Sequence, residues 1–343
     1  MNILNKYLSK GYPQLDWIQV GVTSRCNAAC TYCPHWSLRK TWKGRDMPME
    51  VFQSLAPAFS RTELVYLQGW GEPLLHPDFF TMLDLVKNKG SKAGLTSNAT
   101  LLTDENIKRL VGQGLDILSL SMAGIDDSND RIRKGTSWKK VLTAIETVHK
   151  IRISMGRNRP HIHLAYMLLG SNLDDIEKLP EFLNALGLDQ IVISGLTLAL
   201  DPAMEQEMYL AKSKQEFALL KSRLQSMKNE LDEPGNTFFH IYNPYLSGKT
   251  CSENIQKSTY ASVDGLIRPC VYTDFPEDAC LNRHISSGRY PFSGLNFGSI
   301  KDQSMAEIWK SEDYSAFRHG FFNPKINKPC VHCAKRFIDD LSE

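Results

Sequence analysis

An α/β protein built on a parallel sheet is what this sequence predicts, on three observations. Six short apolar, β-rich runs alternate with helical stretches from Trp17 to about Leu200, several of those stretches end on glycine, and 42% of the residues are hydrophobic, enough for a sizeable core. The strand candidates are WIQVGVT from Trp17, ELVYLQ from Glu63, KAGLTS from Lys92, DILSLSM from Asp116, HIHLAYMLL from His161 and QIVISGL from Gln190. Between them the patterning predicts helices from Met49, Asp78, Asp104, Ser137 and Leu173, with Gly90, Gly114 and Gly187 as helix-ending residues. Strands joined by helical crossovers give a parallel sheet, curled or open.

A charged helix from Met204 to Leu231 then leads to Glu233-Pro234-Gly235-Asn236, the clearest breaker in the chain. It divides the 343 residues into a first unit, 1–235, and a second, 236–343. The second unit has short strand candidates around Phe238–Tyr242 and Ser258–Ile267, a Gly/Ser-rich loop near Ser286–Gly298 and a short helix around Met305–Trp309. So little regular structure predicts a poor core of its own, for which a metal cluster is the usual remedy.

Lys and Arg total 40 against 38 Asp and Glu, a net charge of +2, without the excess that accompanies dedicated nucleic-acid binding. The start of the chain lacks the apolar segment of a secretory signal, and no run of about 18 apolar residues occurs. A soluble cytoplasmic protein with no membrane partner is expected. In such a reducing compartment, eight cysteines point to metal or redox chemistry and not to disulfides.

The cysteines form two groups. Cys26, Cys30 and Cys33 make a CxxxCxxC triplet on the loop after the first strand. Three thiolates can hold three irons of a cubane and leave the fourth open to a small molecule; a structural zinc ion would need a fourth ligand, which His35 is near enough in sequence to supply. Cys251, Cys270, Cys330 and Cys333 follow the pattern Cys-x13-Gly-x4-Cys and, much later, CxxC. Four thiolates suit a zinc ion or one closed cubane. Cys280 is left over, as a free buried thiol or a replacement ligand.

The triplet, with Tyr32 just before its third cysteine, resembles the signature of the radical S-adenosylmethionine (radical SAM) superfamily. Gln68-Gly69-Trp70-Gly71-Glu72-Pro73 after the second strand resembles that family's Gly-Gly-Glu motif, with Trp70 in place of the first glycine. Thr96-Ser97-Asn98-Ala99-Thr100 is similar to its Thr-Asn-Gly-Thr turn, and Ser121-Met122-Ala123-Gly124 with Arg133 to its Ser-x-Asp-Gly and downstream arginine. The resemblance covers about residues 17–200 and implies a partial (β/α)6 TIM-like barrel, with its motifs at the carboxyl ends of the strands. It implies cofactor contacts from Tyr32, Gly71, Glu72, Asn98 and Ser121, with Arg133 as charge partner of the SAM carboxylate. Taken alone, Ser97 and Asn98 read as turn residues and Arg133 as a surface charge.

The second cysteine group, with Leu295–Ile300 and Met305–Trp309 between its halves, resembles the auxiliary-cluster domains of SPASM and twitch type, the shorter twitch arrangement being the better match. The two resemblances imply two 4Fe–4S clusters, SAM, and an electron donor such as flavodoxin or ferredoxin. The expected function is reductive cleavage of SAM to a 5'-deoxyadenosyl radical that removes a substrate hydrogen. An auxiliary cluster favours a net oxidation, of a small hydroxylated metabolite; the rival is a maturase of peptides or proteins, and a zinc-stabilised binding module is the non-enzymatic alternative. No residue is identified as catalytic acid or base, and nothing in the sequence names the substrate.

Overall fold

The structure, a computed structural model, describes residues 12–247, 251–276, 280–321 and 328–341. Seven parallel strands follow one another in chain order: β1 (Leu15–Val20), β2 (Thr62–Tyr66), β3 (Lys92–Ser97), β4 (Ile117–Met122), β5 (His161–Leu168), β6 (Gln190–Gly195) and β7 (Thr237–Tyr242). Crossovers bring each strand back parallel to the last, through α1 (Met49–Phe59), α2 (Phe79–Asn88), α3 (Asp104–Gly112), α4 (Trp138–Ser154) and α5 (Leu179–Asn184). The fold is the partial TIM barrel that the sequence led us to expect.

Why these segments are strands shows best in β5. Ile162, Leu164, Tyr166 and Leu168 are each at most 1% exposed, whereas the alternate residues His161, His163, Ala165 and Met167 are half-buried. One face packs on helices, at roughly 1.5–3 kcal/mol for each large apolar side chain, and the other lines a lumen. The helices answer with matching stripes, as in α1, where Val51, Phe52, Leu55, Ala58 and Phe59 are buried.

Register carries the lumen face around the sheet: Gln19 sits beside Tyr66, Thr96 beside Ser119, Ser119 beside His163, and Ser194 beside His240. Tyr66 and Gln68 line a cavity in the lumen with Gln19. Tyr166 is on the opposite face, and its hydroxyl donates to Asp175 Oδ2 at 2.6 Å. His35 and Trp36 are on the helical turn Pro34–Ser37, packed against Trp42 and Arg39.

Two expected helices break. The stretch from Leu173 becomes the end of a 3-10 segment, Gly170–Asp175, and then α5, because Pro180 is tolerated only in a first turn. The charged stretch from Met204 becomes α6 (Pro202–Glu207) and α7 (Lys214–Asn229), the latter restarted by Ser213, whose side chain caps Glu216 N–H.

Beyond residue 236 the chain keeps returning to the same sheet. β7 extends it past β6; on the opposite edge β8 (Ser258–Ala261) runs parallel to β1 and carries antiparallel β9 (Ile267–Arg268). A hairpin of β10 (Leu281–Ile285) and β11 (Gly288–Phe292) follows, then α8 (Met305–Lys310), α9 (Glu312–His319) and β12 (Ile338–Asp339), antiparallel to β7. In place of a core of its own, this unit shares that of the barrel: Ile255, Ala261, Ile267, Ile300, Met305, Ile308, Tyr314 and Phe317 join the same apolar cluster as the strands and helices of the barrel. Cys280, expected to be buried, is exposed.

Candidate functional site

The loop after β1 carries Cys26, Cys30 and Cys33 and is fixed at both ends. Thr23 bridges Asp46, and Asp46 takes two hydrogen bonds from Arg25, Nε at 2.9 Å and Nη2 at 2.7 Å. Ala29–Cys30 then pairs with Arg133–Lys134, which puts Cys30 directly opposite Arg133. Cys33 precedes the turn Pro34–Ser37, accepting Trp36 N–H at 3.0 Å.

Behind this loop sits Gly71. A Cβ there would lie 2.4 Å from Thr23 O and 2.6 Å from Arg25 O, so only glycine lets the β2 loop approach the cysteine loop this closely. Glu72 N–H donates to Arg25 O at 2.9 Å. The Glu72 carboxylate turns the other way, accepting from Ser97 Oγ and Asn98 N–H, each at 2.8 Å. Burial pushes its pKa up to about 7 against the pull of those bonds.

Asn98 Nδ2 donates to Asn27 Oδ1 at 2.9 Å, and Asn98 Oδ1 accepts Thr100 N–H at 3.0 Å. Ala99 between them has φ +66°, the left-handed geometry the family motif gives to glycine. Ser121 is on the lumen face of β4. Arg133 is no surface charge: it is 6% exposed, and its guanidinium donates from Nη1 to Tyr32 Oη. Its buried Nε has no hydrogen-bond partner among the described residues. Four loops at the carboxyl ends of β1 to β4 therefore meet at one place, as parallel-barrel enzymes require.

A second site forms between the two edges of the open sheet. Cys251 and Cys270 flank β8 and β9 on one edge, and Cys330 and Cys333 precede β12 on the other; all four line one narrow cavity. Ser252 N–H donates to Lys335 O at 3.0 Å and ties the edges together. Within the cavity Lys335 Nζ pairs with Glu253 Oε1 at 2.9 Å and lies 5.0 Å from the Tyr272 ring centroid. Tyr272 meets Trp70 edge to face at 5.8 Å, and its hydroxyl oxygen accepts from Thr197 Oγ1 at 3.2 Å, so an aromatic contact joins the auxiliary cavity to the loop of Gly71. Trp70 also packs on Phe275 at 5.7 Å. Lys335, Glu253 and Tyr272 were not singled out from the sequence; Lys335 and Glu253 stand two residues after a cysteine, a signal too weak to read without the fold.

The donor sets fit iron–sulfur clusters. Burial pushes the Cys26 thiol up to about 11 and those of Cys33 and Cys330 up to about 12, a cost that bound metal reverses because a coordinating thiol is deprotonated outright. Among the described residues, no group of three or more His, Cys, Asp or Glu converges tightly enough for a single ion. A cubane asks less of its ligands, since each thiolate meets a different iron. His35, the candidate fourth zinc ligand, packs edge to face on Trp42 with centroids 5.5 Å apart.

Comparison with known proteins decides the family. The radical SAM superfamily profile matches residues 20–183, and that of SPASM, an iron–sulfur cluster-binding domain, matches residues 251–334. The chain carries a radical SAM domain followed by a SPASM domain. The first implies a 4Fe–4S cluster and SAM, and the second implies auxiliary iron–sulfur clusters. This radical SAM enzyme is 27% identical over 335 residues to the tungsten-containing aldehyde ferredoxin oxidoreductase cofactor-modifying protein of Pyrococcus furiosus, covering 95% of this chain and 89% of that protein. It is 23% identical over 314 residues to the Fe-coproporphyrin III synthase of Methanosarcina barkeri, covering 87% and 73%. Among solved structures it resembles Streptococcus suis SuiB bound to S-adenosylmethionine, with a TM-score of 0.65 at 14% identity, covering 98% of this chain and 75% of that one. It also resembles anSMEcpe with bound AdoMet, at 0.61 and 20%, covering 88% and 82%. At these identities the structural likeness speaks for the fold. No helix among the described residues of the radical SAM enzyme is long and apolar enough to cross a membrane.

Proposed function

We propose that this radical SAM enzyme oxidises a small, polar, uncharged molecule held in the barrel lumen, a hydroxylated metabolite or a cofactor precursor. The lining of the lumen carries the proposal. Gln19, Tyr66, Gln68, Thr96, Ser119, Ser121, His163, Ser194 and His240 offer hydrogen bonds without formal charge, and burial lowers the pKa of His163 and of His240, which favours neutral rings. Similarity along nearly the whole chain to a cofactor-modifying protein supports a small molecule over a peptide.

Cys26, Cys30 and Cys33 hold the SAM-binding cluster, and Cys251, Cys270, Cys330 and Cys333 the auxiliary one. When bound, these groups supply reductive cleavage of SAM, hydrogen abstraction by the 5'-deoxyadenosyl radical, and an acceptor for the electron left on the substrate. The protein's part is to position and to exclude water. Gly71 and the main chain beside it form one wall of the SAM pocket, and Glu72 locks the β2 loop to Ser97 and Asn98. Asn98 holds the cysteine loop through Asn27, Ser121 offers its hydroxyl from β4, and Arg133, oriented by Tyr32, takes the SAM carboxylate. Trp70, Tyr272 and Phe275 close the apolar side between the clusters. The enzyme works in the reducing cytoplasm with a low-potential donor such as flavodoxin or ferredoxin.

Deuterium transfer tests the reading. Extract from native cells grown in deuterated medium is separated into small-molecule and peptide fractions, and each is incubated anaerobically with reconstituted enzyme and unlabelled SAM. Deuterium in 5'-deoxyadenosine from the small-molecule fraction supports the proposal; deuterium from the peptide fraction alone replaces it with a maturase. A Cys270→Ala, Cys333→Ala variant that stays folded by circular dichroism and still forms oxidised product at the normal rate removes the electron-acceptor role.

A further inference from the structure

Buried ion pairs are costly to desolvate and seldom repay that cost in stability, so a pair built into a cofactor cavity invites another explanation. The side chains of Lys335 and Glu253 are only 14% and 18% exposed. They come from opposite edges of the sheet, joined by the Ser252 N–H to Lys335 O bond, and each follows by two residues a cysteine of the same cavity. Glu253 and the face of Tyr272 hold the ammonium in place. Arg283 adds a second cation: it is 3% exposed, donates from Nη1 to Pro329 O at 3.3 Å, and has a buried Nε with no hydrogen-bond partner among the described residues. Arg336 also lines the cavity, so among its described lining residues three cations stand with one carboxylate.

We propose that Lys335 raises the reduction potential of the auxiliary cluster and that Glu253 holds back part of that rise, with Arg283 contributing a fixed positive background. The inference rests on the assignment of Cys251, Cys270, Cys330 and Cys333 as that cluster's ligands. A cubane with four thiolates is an anion and becomes more negative by one charge on reduction, with no bond made or broken. Cations fixed in a poorly solvated cavity favour the reduced form more than the oxidised one, because the potential follows net charge, hydrogen bonding and solvent exposure. A raised potential is what an acceptor for a substrate-derived electron needs.

Redox titration of the anaerobically reconstituted protein, followed by electron paramagnetic resonance, reads both clusters. Lys335→Met lowers the auxiliary midpoint by on the order of tenfold in the reduction equilibrium, about 59 mV for a one-electron couple. Glu253→Gln raises it, Lys335→Arg leaves it near the wild-type value, and the SAM-cluster midpoint moves in none of them. Opposite shifts support the proposal. An unmoved auxiliary midpoint, or the same direction in both variants, overturns it; if one variant loses its second cluster, the sign in the other decides. Wild-type protein that binds about four irons overturns the ligand assignment and this inference with it. About eight irons with unmoved potentials overturns the inference alone.

Discussion

Gly71→Ala is the sharpest test of how the loops are held together. The new Cβ would stand 2.4 Å from Thr23 O and 2.6 Å from Arg25 O, where ordinary contact begins at 3.4 Å, so about 1 Å of movement is required. Both obstacles are backbone, and no flexible side chain can swing aside. Arg25 O also accepts Glu72 N–H at 2.9 Å, so relief of the clash disturbs that bond as well. Overpacking of this kind costs about 2 kcal/mol. With about 2.1 cal/mol/K of unfolding entropy per residue over 343 residues, that corresponds to about 3 °C in Tm. The larger effect is on chemistry, because a displacement of about 1 Å at a reacting centre costs about a hundredfold in rate. The assay is anaerobic 5'-deoxyadenosine formation, with iron content and thermal unfolding measured on the same preparation. Gly235→Ala is the control, since nothing lies within 4 Å of a Cβ there. A Gly71→Ala enzyme that cleaves SAM at the wild-type rate with an unchanged Tm would refute the close-approach argument.

Reconstituted protein should carry about eight irons per chain, and joint replacement of Cys26, Cys30 and Cys33 by Ala should remove about four and abolish SAM cleavage; substantial zinc with about four irons would refute the auxiliary assignment. Arg133→Met should weaken SAM binding by roughly 1.5–3 kcal/mol in calorimetry while sparing iron content, and unchanged affinity would remove Arg133 from the SAM pocket. Burial alone would raise the pKa of Asp46, but hydrogen bonds from Arg25 and Thr23 outweigh it and hold the carboxyl below its ordinary value. Its stabilisation is therefore complete above the ordinary carboxylate range and lost as pH falls through the depressed pKa, so Asp46→Asn should flatten the acid limb of a Tm-against-pH curve. An identical limb in the variant would show that the Arg25–Asp46 pair contributes nothing measurable.

What the sequence by itself determined was local: the six barrel strands, the loops at their carboxyl ends, and the grouping of the cysteines. Period and spacing encode these because a two-residue alternation or a CxxxCxxC run is complete within one segment. The turn at Ser286-Ser287 escaped such reading, because both residues adopt positive φ without the Asn-Gly or Asp-Gly signal that normally marks a tight hairpin. What only the tertiary structure decided depends on pairing between distant segments. Thr237–Tyr242 and Ser258–Ala261, strand candidates in the sequence, joined the barrel's own sheet because β6 and β1 offered open edges. Glu72 met Ser97 and Asn98, and Tyr166 faced outward, only once register was set. Lys335 looks like any surface cation in sequence, and Arg133 stands out there only through its place after a family-like motif. Burial beside thiols makes them part of a site, and burial belongs to the assembled chain, since desolvation depends on every segment packed around a charge.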